Sequence, residues 1–153
     1  MSELGEAPRL RFRRVMAAPP ARLFALWTQP ESIKKWFGGP EVEVATVVLD
    51  LRPGGAYSIT VQGEEGDSVI FGRFLAVDPP VRLVYTWTLE GEMGATPETT
   101  VTVEFRKLGA GTELLLEHGP FPVPQIRSLH ERGWVECFDA LERILEAVET
   151  PGP

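Results

Sequence analysis

From Pro124 to Glu149 the chain carries apolar residues at helical spacing. At 100° per residue, Ile126, His130, Gly133, Trp134, Cys137, Leu141, Ile144, Leu145 and Val148 share one face. Glu131, Arg132, Glu136, Asp139, Glu142, Arg143 and Glu146 fall elsewhere on the wheel, mostly opposite. Such a helix must lay its stripe against an apolar surface. The residues before it read as strands, so that surface is a sheet. Along the stripe, His130, Gly133, Trp134 and Cys137 stand where a packing helix would repeat leucine, and the face turns aliphatic only from Leu141. The spacing thus predicts a C-terminal half that anchors the sheet and an N-terminal half that lines a cavity.

The strands follow in order. Leu10–Met16 alternates and is stopped by Ala18-Pro19-Pro20, with Pro20 placed to open a short helix carrying Leu23, Leu26 and Trp27. Pro30 starts a second, with Ile33, Trp36 and Phe37 inward and Gly38-Gly39-Pro40 as its end. Val42–Leu49 is β-branched, and Asp50–Gly55 is a turn in which Asp50 is expected to bond backbone amides. Ala56–Gln62 and Ser68–Val77 flank the polar turn Gly63–Asp67. Arg82–Thr88 places Leu83, Tyr85 and Trp87 on one side, and Leu89–Glu98 reads as an acidic loop. Thr100–Arg106 puts Val101, Val103 and Phe105 on one face, and after the turn at Gly109-Ala110-Gly111, Thr112–His118 does the same with Leu114, Leu116 and His118. Close spacing and short turns imply antiparallel neighbours. The expectation is one α+β domain over residues 1–153, with 1–8 and 150–153 as frayed termini.

Charge excludes some roles. A formal net charge of −7 argues against nucleic-acid binding, which rests on neutralising phosphates. The run Arg9, Arg11, Arg13, Arg14 alternates with apolar residues and reads as a solvated strand face. A single cysteine excludes an internal disulfide framework. No apolar run reaches the ~18 residues of a membrane span, and Met1–Pro8 lacks a signal-peptide core, so the expected location is cytoplasmic, without membrane insertion. A homodimer is compatible with the sequence, which holds no feature that demonstrates one.

His130, on the apolar stripe, is the foremost candidate for ligand contact, or for general acid–base work if the chain is an enzyme. The plainer alternative is a core histidine satisfied by a carbonyl or water. His118 shares the inward parity of Leu116 and leads towards the same helix, so the two imidazoles are expected at one end of the cavity. His118, His130 and Cys137 match no zinc spacing and lack a fourth ligand, so no metal or cofactor is expected. Cys137 on an apolar face reads as packing, and Gly133 as a close approach or cavity volume. Trp27, Trp36, Tyr57, Tyr85 and Trp87 are a supply of large amphipathic aromatics that together favour a ring-containing or lipid-like ligand over a sugar, and Trp134 reads as a core or cavity-wall aromatic. Glu104 has outward parity. No paired carboxylates, phosphate loop or nucleophile elbow occurs.

Several segments together carry a family resemblance. These are Arg14–Pro19, Trp27-Thr28-Gln29-Pro30-Glu31, Lys35-Trp36, Asp50–Gly55, Pro79-Pro80 with Arg82–Trp87, Gly109–Thr112, and Glu131-Arg132-Gly133-Trp134. From about Arg9 to Glu146 the chain resembles the bacterial branch of the activator of heat-shock protein 90 ATPase homologues. That branch lies in the START-like, Bet v 1-like (SRPBCC) superfamily. The resemblance implies a helix-grip fold: about seven antiparallel strands curled around the long C-terminal helix, two short helices between strands 1 and 2, and a deep apolar cavity. It also implies three functional classes. The leading expectation is a binding protein for a hydrophobic, lipid-like or aromatic small molecule, contacted by His130, His118, Tyr85, Trp87, Trp134, Gly133, Cys137 and Trp36. The alternatives are a polyketide cyclase/dehydratase-type enzyme and a co-chaperone-like module contacting the chaperone.

Overall fold

The computed structural model describes residues 8–40, 42–63, 66–91 and 94–149, with residues 147–149 as backbone only. The terminal segments expected to fray, apart from Pro8, and the side chain of Val148 lie outside the described residues.

Strand β1 (Leu10–Met16) leads into helices α1 (Pro20–Thr28) and α2 (Pro30–Trp36). Strands β2 (Glu43–Leu49), β3 (Ala56–Gly63), β4 (Gly66–Asp78), β5 (Arg82–Gly91), β6 (Gly94–Ala95), β7 (Thr99–Leu108) and β8 (Gly111–Gly119) follow, and α3 (Pro124–Glu149) ends the chain. All pairings are antiparallel, in the order β1-β8-β7-β5-β4-β3-β2, with the two-residue β6 appended to β5. This is the expected helix grip. Both short helices begin with proline, where a missing N–H costs nothing.

Two expectations are corrected in detail. The acidic loop after Thr88 is partly strand: β5 runs on to Gly91 and turns back through β6, and Thr96 closes the hairpin by bonding Leu89 twice. The Asp50 carboxylate accepts from the Arg52 guanidinium at 2.8 Å rather than from backbone amides, while the turn itself is made by backbone bonds and Gly54 at φ 85°.

Inward parity gives the core. Leu83, Tyr85, Trp87, Val101, Val103, Phe105, Leu114, Leu116 and His118 are buried on the face towards α3, which answers with His130, Trp134, Cys137, Phe138, Leu141 and Leu145. Two large contributors escaped the sequence reading: Phe138, four residues after Trp134, and Phe121, which follows β8.

The basic run divides by parity. Arg11 pairs with Glu117 at 3.1 Å and Arg13 with Glu113 across the β1–β8 register on the outer face, so these two charges are paired there. Arg14 points the other way. Its guanidinium lies 5.3 Å from the centre of the Phe138 ring and reaches Glu142 at 3.0 Å and Asp139 at 3.5 Å, clamping α3 to the sheet edge. Glu104 is outward, paired with Arg106.

Candidate functional site

The two histidines do meet. Their ring centres are 5.3 Å apart and the planes perpendicular, inside a cage of Trp87, Phe121 and Trp134. His130 sits on α3 one turn after Ile126, whose carbonyl accepts its Nδ1–H at 2.8 Å. That fixes Nε2 as an acceptor, and the Trp87 indole donates to it at 3.0 Å. His118, at the end of β8, has the opposite tautomer. Its Nδ1 accepts from the Trp134 indole at 3.0 Å, so Nε2 carries the proton and donates to Thr99 Oγ1 at 2.8 Å. Thr99 in turn donates to the Trp87 carbonyl at 3.4 Å. Every ring nitrogen is used.

Such a network holds both imidazoles neutral. Burial pushes the His118 pKa down to about 2, and the neighbouring His130 adds to that shift. Burial also lowers His130, opposed by its bond to Ile126. Cys137 is equally closed. Its Sγ accepts the Gly38 N–H at 3.2 Å, and burial pushes the thiol up to about 12. No group of three metal-ligating side chains gathers among the described residues.

The open space lies elsewhere. An apolar cleft runs between α1–α2 and the β2–β5 half of the sheet, lined by Trp27, Ile33, Trp36 and Phe37 from the helical side. Strand residues Val47, Val48, Leu49, Tyr57, Ile59, Phe74, Tyr85 and Trp87 complete its wall. No charged side chain and no α3 residue takes part. Its polar atoms bond mostly into the protein: Trp36 Nε1 to the Leu26 carbonyl at 2.8 Å, Tyr57 Oη to the Thr86 carbonyl at 2.6 Å, and Trp27 Nε1 to Tyr85 Oη at 3.2 Å. Burial raises both phenol pKa values, so both tyrosines stay protonated.

The free volume of the cleft is ≈ 30 Å³, room for about two waters. The cleft takes no residue from α3, so among the described residues the deep cavity expected along that helix is not confirmed. The physical reason is side-chain bulk. Trp134 stacks between Trp27 and Phe138, and Trp87 fills the space between Phe37 and the histidines. A larger free volume, ≈ 210 Å³, is a more open trough beside the Arg11–Glu117 pair, with charged rims. The cleft is the better-formed concavity.

The predicted site residues thus separate. Trp36, Tyr85 and Trp87 line the cleft. His118, His130 and Trp134 form the hydrogen-bonded cage behind it, with Trp87 shared by both. Cys137 closes the loop after α2. A Cβ at Gly133 would meet nothing within 4 Å, so the residue makes no close approach to a strand. Trp27 and Tyr57, which the sequence offers as part of the aromatic supply but not among the expected ligand contacts, also line the cleft.

Comparison with known proteins gives the lineage. Residues 17–146 match the model of the family described as Activator of Hsp90 ATPase homolog 1-like protein. Similar solved structures include a Nitrosomonas europaea protein (28% identity, TM-score 0.76, covering 95% of this chain and 98% of that one). Another is a Rhodobacter sphaeroides protein (28%, 0.80, covering 93% and 94%). A third is from Chromobacterium violaceum (25%, 0.77, covering 90% and 97%). Comparison with curated proteins gave no match. No described helix is long and apolar enough to cross a membrane. The chain belongs to the Activator of Hsp90 ATPase homolog 1-like family and carries the START-like, Bet v 1-like helix-grip fold.

Proposed function

We propose that this protein binds a hydrophobic small molecule, aromatic or lipid-like, in the cleft between α1–α2 and strands β2–β5. The observation that carries the reading is the wall itself: a concave surface of aromatic and aliphatic side chains with no charged group and with its indole donors turned into protein bonds. Such a surface offers apolar and ring contacts and rejects ions, which would lose hydration without gaining a partner. Drug-sized ligands need a few hundred Å³. Occupancy therefore entails outward displacement of the wall, and Phe37, directly before Gly38 and Gly39 at φ 81° and 80°, is the wall residue placed at a backbone bend.

The committed histidine nitrogens support binding over acid–base catalysis. His130, the candidate acid–base group, donates to Ile126 and accepts from Trp87, so it has no nitrogen left for a substrate in this conformation. The family relationship keeps contact with the chaperone as an alternative, and stimulation of the chaperone's ATPase by this protein would favour it.

Equilibrium dialysis with naphthalene, a neutral aromatic probe, tests the binding reading. Saturable uptake is expected in the wild type, with loss in Ile59→Phe, which enlarges one wall residue while circular dichroism confirms the fold. No saturable uptake, or uptake untouched by Ile59→Phe, would reject the cleft.

A further inference from the structure

Five side chains of the cleft wall carry a polar hydrogen: Trp27, Trp36, Tyr57, Tyr85 and Trp87. Four of those protons go to acceptors inside the protein. The Tyr85 phenol is different. Its oxygen accepts from the Trp27 indole, which occupies a lone pair and turns the O–H away from that ring. Among the described residues no hydrogen bond takes the Tyr85 proton. The residue is only 7% exposed, so bulk water is a poor substitute. A buried donor without an acceptor is unfavourable, and a partner that supplies one removes the penalty.

Resting on the cleft-binding reading, we infer that Tyr85 sets ligand class: it selects a neutral, largely apolar molecule bearing one hydrogen-bond acceptor, of the ketone or ether type. Neutrality follows from the wall, which holds no cation to compensate a carboxylate. A single acceptor follows from the count, since the other four protons are already spent. The direction of donation is fixed, because burial keeps the phenol protonated and unable to act as a phenolate. A pure hydrocarbon would fill the same volume and leave the proton unused.

The test compares two shape-matched probes, 1-indanone and indane, by calorimetric titration of the whole protein. The wild type is expected to prefer the ketone by roughly three- to tenfold, the range of one neutral hydrogen bond. In Tyr85→Phe the ratio should fall to about one. Independently of any variant, the infrared carbonyl stretch of bound 1-indanone in the wild type should lie below its value in hydrocarbon solvent. Equal affinity for the two probes, an unshifted carbonyl band, or a preference that survives Tyr85→Phe would overturn the inference while leaving the cleft in place. Failure of both probes to bind would overturn the cleft reading and this inference together.

Discussion

The two buried histidines make stability acid-sensitive in a way that can be calculated. In the unfolded chain a histidine titrates near pH ~6.5. In the folded protein His118 is fully buried, accepts one indole proton, donates to Thr99, and has its pKa pushed down to about 2. Below pH ~6.5 the unfolded state therefore binds a proton that the folded state refuses, and stability falls as pH falls. The slope approaches ~1.4 kcal/mol per pH unit. Between pH about 7.5 and about 4.5, His118 alone should cost about 2.7 kcal/mol, a large share of the 5–15 kcal/mol typical of a domain. His130 is shifted in the same direction and adds to the loss. Guanidinium unfolding of wild type and His118→Gln at several pH values isolates the effect, because carboxylate titration cancels in the difference. Gln is less favourable at neutral pH, but the gap between the two proteins should narrow by about 2.7 kcal/mol at pH about 4.5. Parallel losses would refute the reasoning, since His118 would then titrate alike in both states. Imidazole nitrogen NMR gives a check without a variant: His118 should be the Nε2–H tautomer and His130 the Nδ1–H tautomer.

Other perturbations follow from the same geometry. Trp87→Phe removes the donor to His130 and leaves a buried ring nitrogen unpaired, which should cost about 1–3 kcal/mol in denaturant unfolding beyond the lost ring volume. Arg14→Ala should cost about 1–2 kcal/mol, because it removes ion pairs to Asp139 and Glu142 and the contact over Phe138; Arg11→Ala, whose side chain is 75% exposed, should cost well under ~1 kcal/mol. Gly39→Ala adds a Cβ 2.8 Å from that of Glu136 at φ 80°, whereas Gly54→Ala at φ 85° meets nothing within 4 Å. Thermal unfolding should show both destabilised by the backbone strain of about 1 kcal/mol, with Gly39→Ala the worse of the two.

Much of the fold was legible because its determinants are periodic. The β5, β7 and β8 parities, the proline starts of α1 and α2, and the stripe on α3 are local patterns that tertiary packing reinforced. His118 and His130 were placed correctly on inward faces for that reason. What sits opposite them was not legible. Parity says that a ring points inward, but not that an indole from β5 meets one histidine while an indole from α3 meets the other. The expected cavity along α3 is not confirmed on the same ground. Trp87 and Trp134 read as wall residues, and their bulk, together with Phe121 and Phe138, fills the space they were expected to line. Phe138 was within reach of the i, i+4 rule from Trp134; Phe121, in an irregular segment after β8, gave no periodic signal. The cleft itself depends on how α1 and α2 sit over β2–β5, a long-range arrangement that no local pattern encodes.

Ligand binding in that cleft is the central claim, and the four indole N–H groups map it directly. Three of the four tryptophans line the cleft, while Trp134 donates to His118 behind it. In a 1H–15N spectrum titrated with 1-indanone, the resonances of Trp27, Trp36 and Trp87 should move together and saturate, with Trp27 moving most because its acceptor is the Tyr85 phenol. Indole signals that stay fixed, or a shift centred on Trp134, would contradict the account.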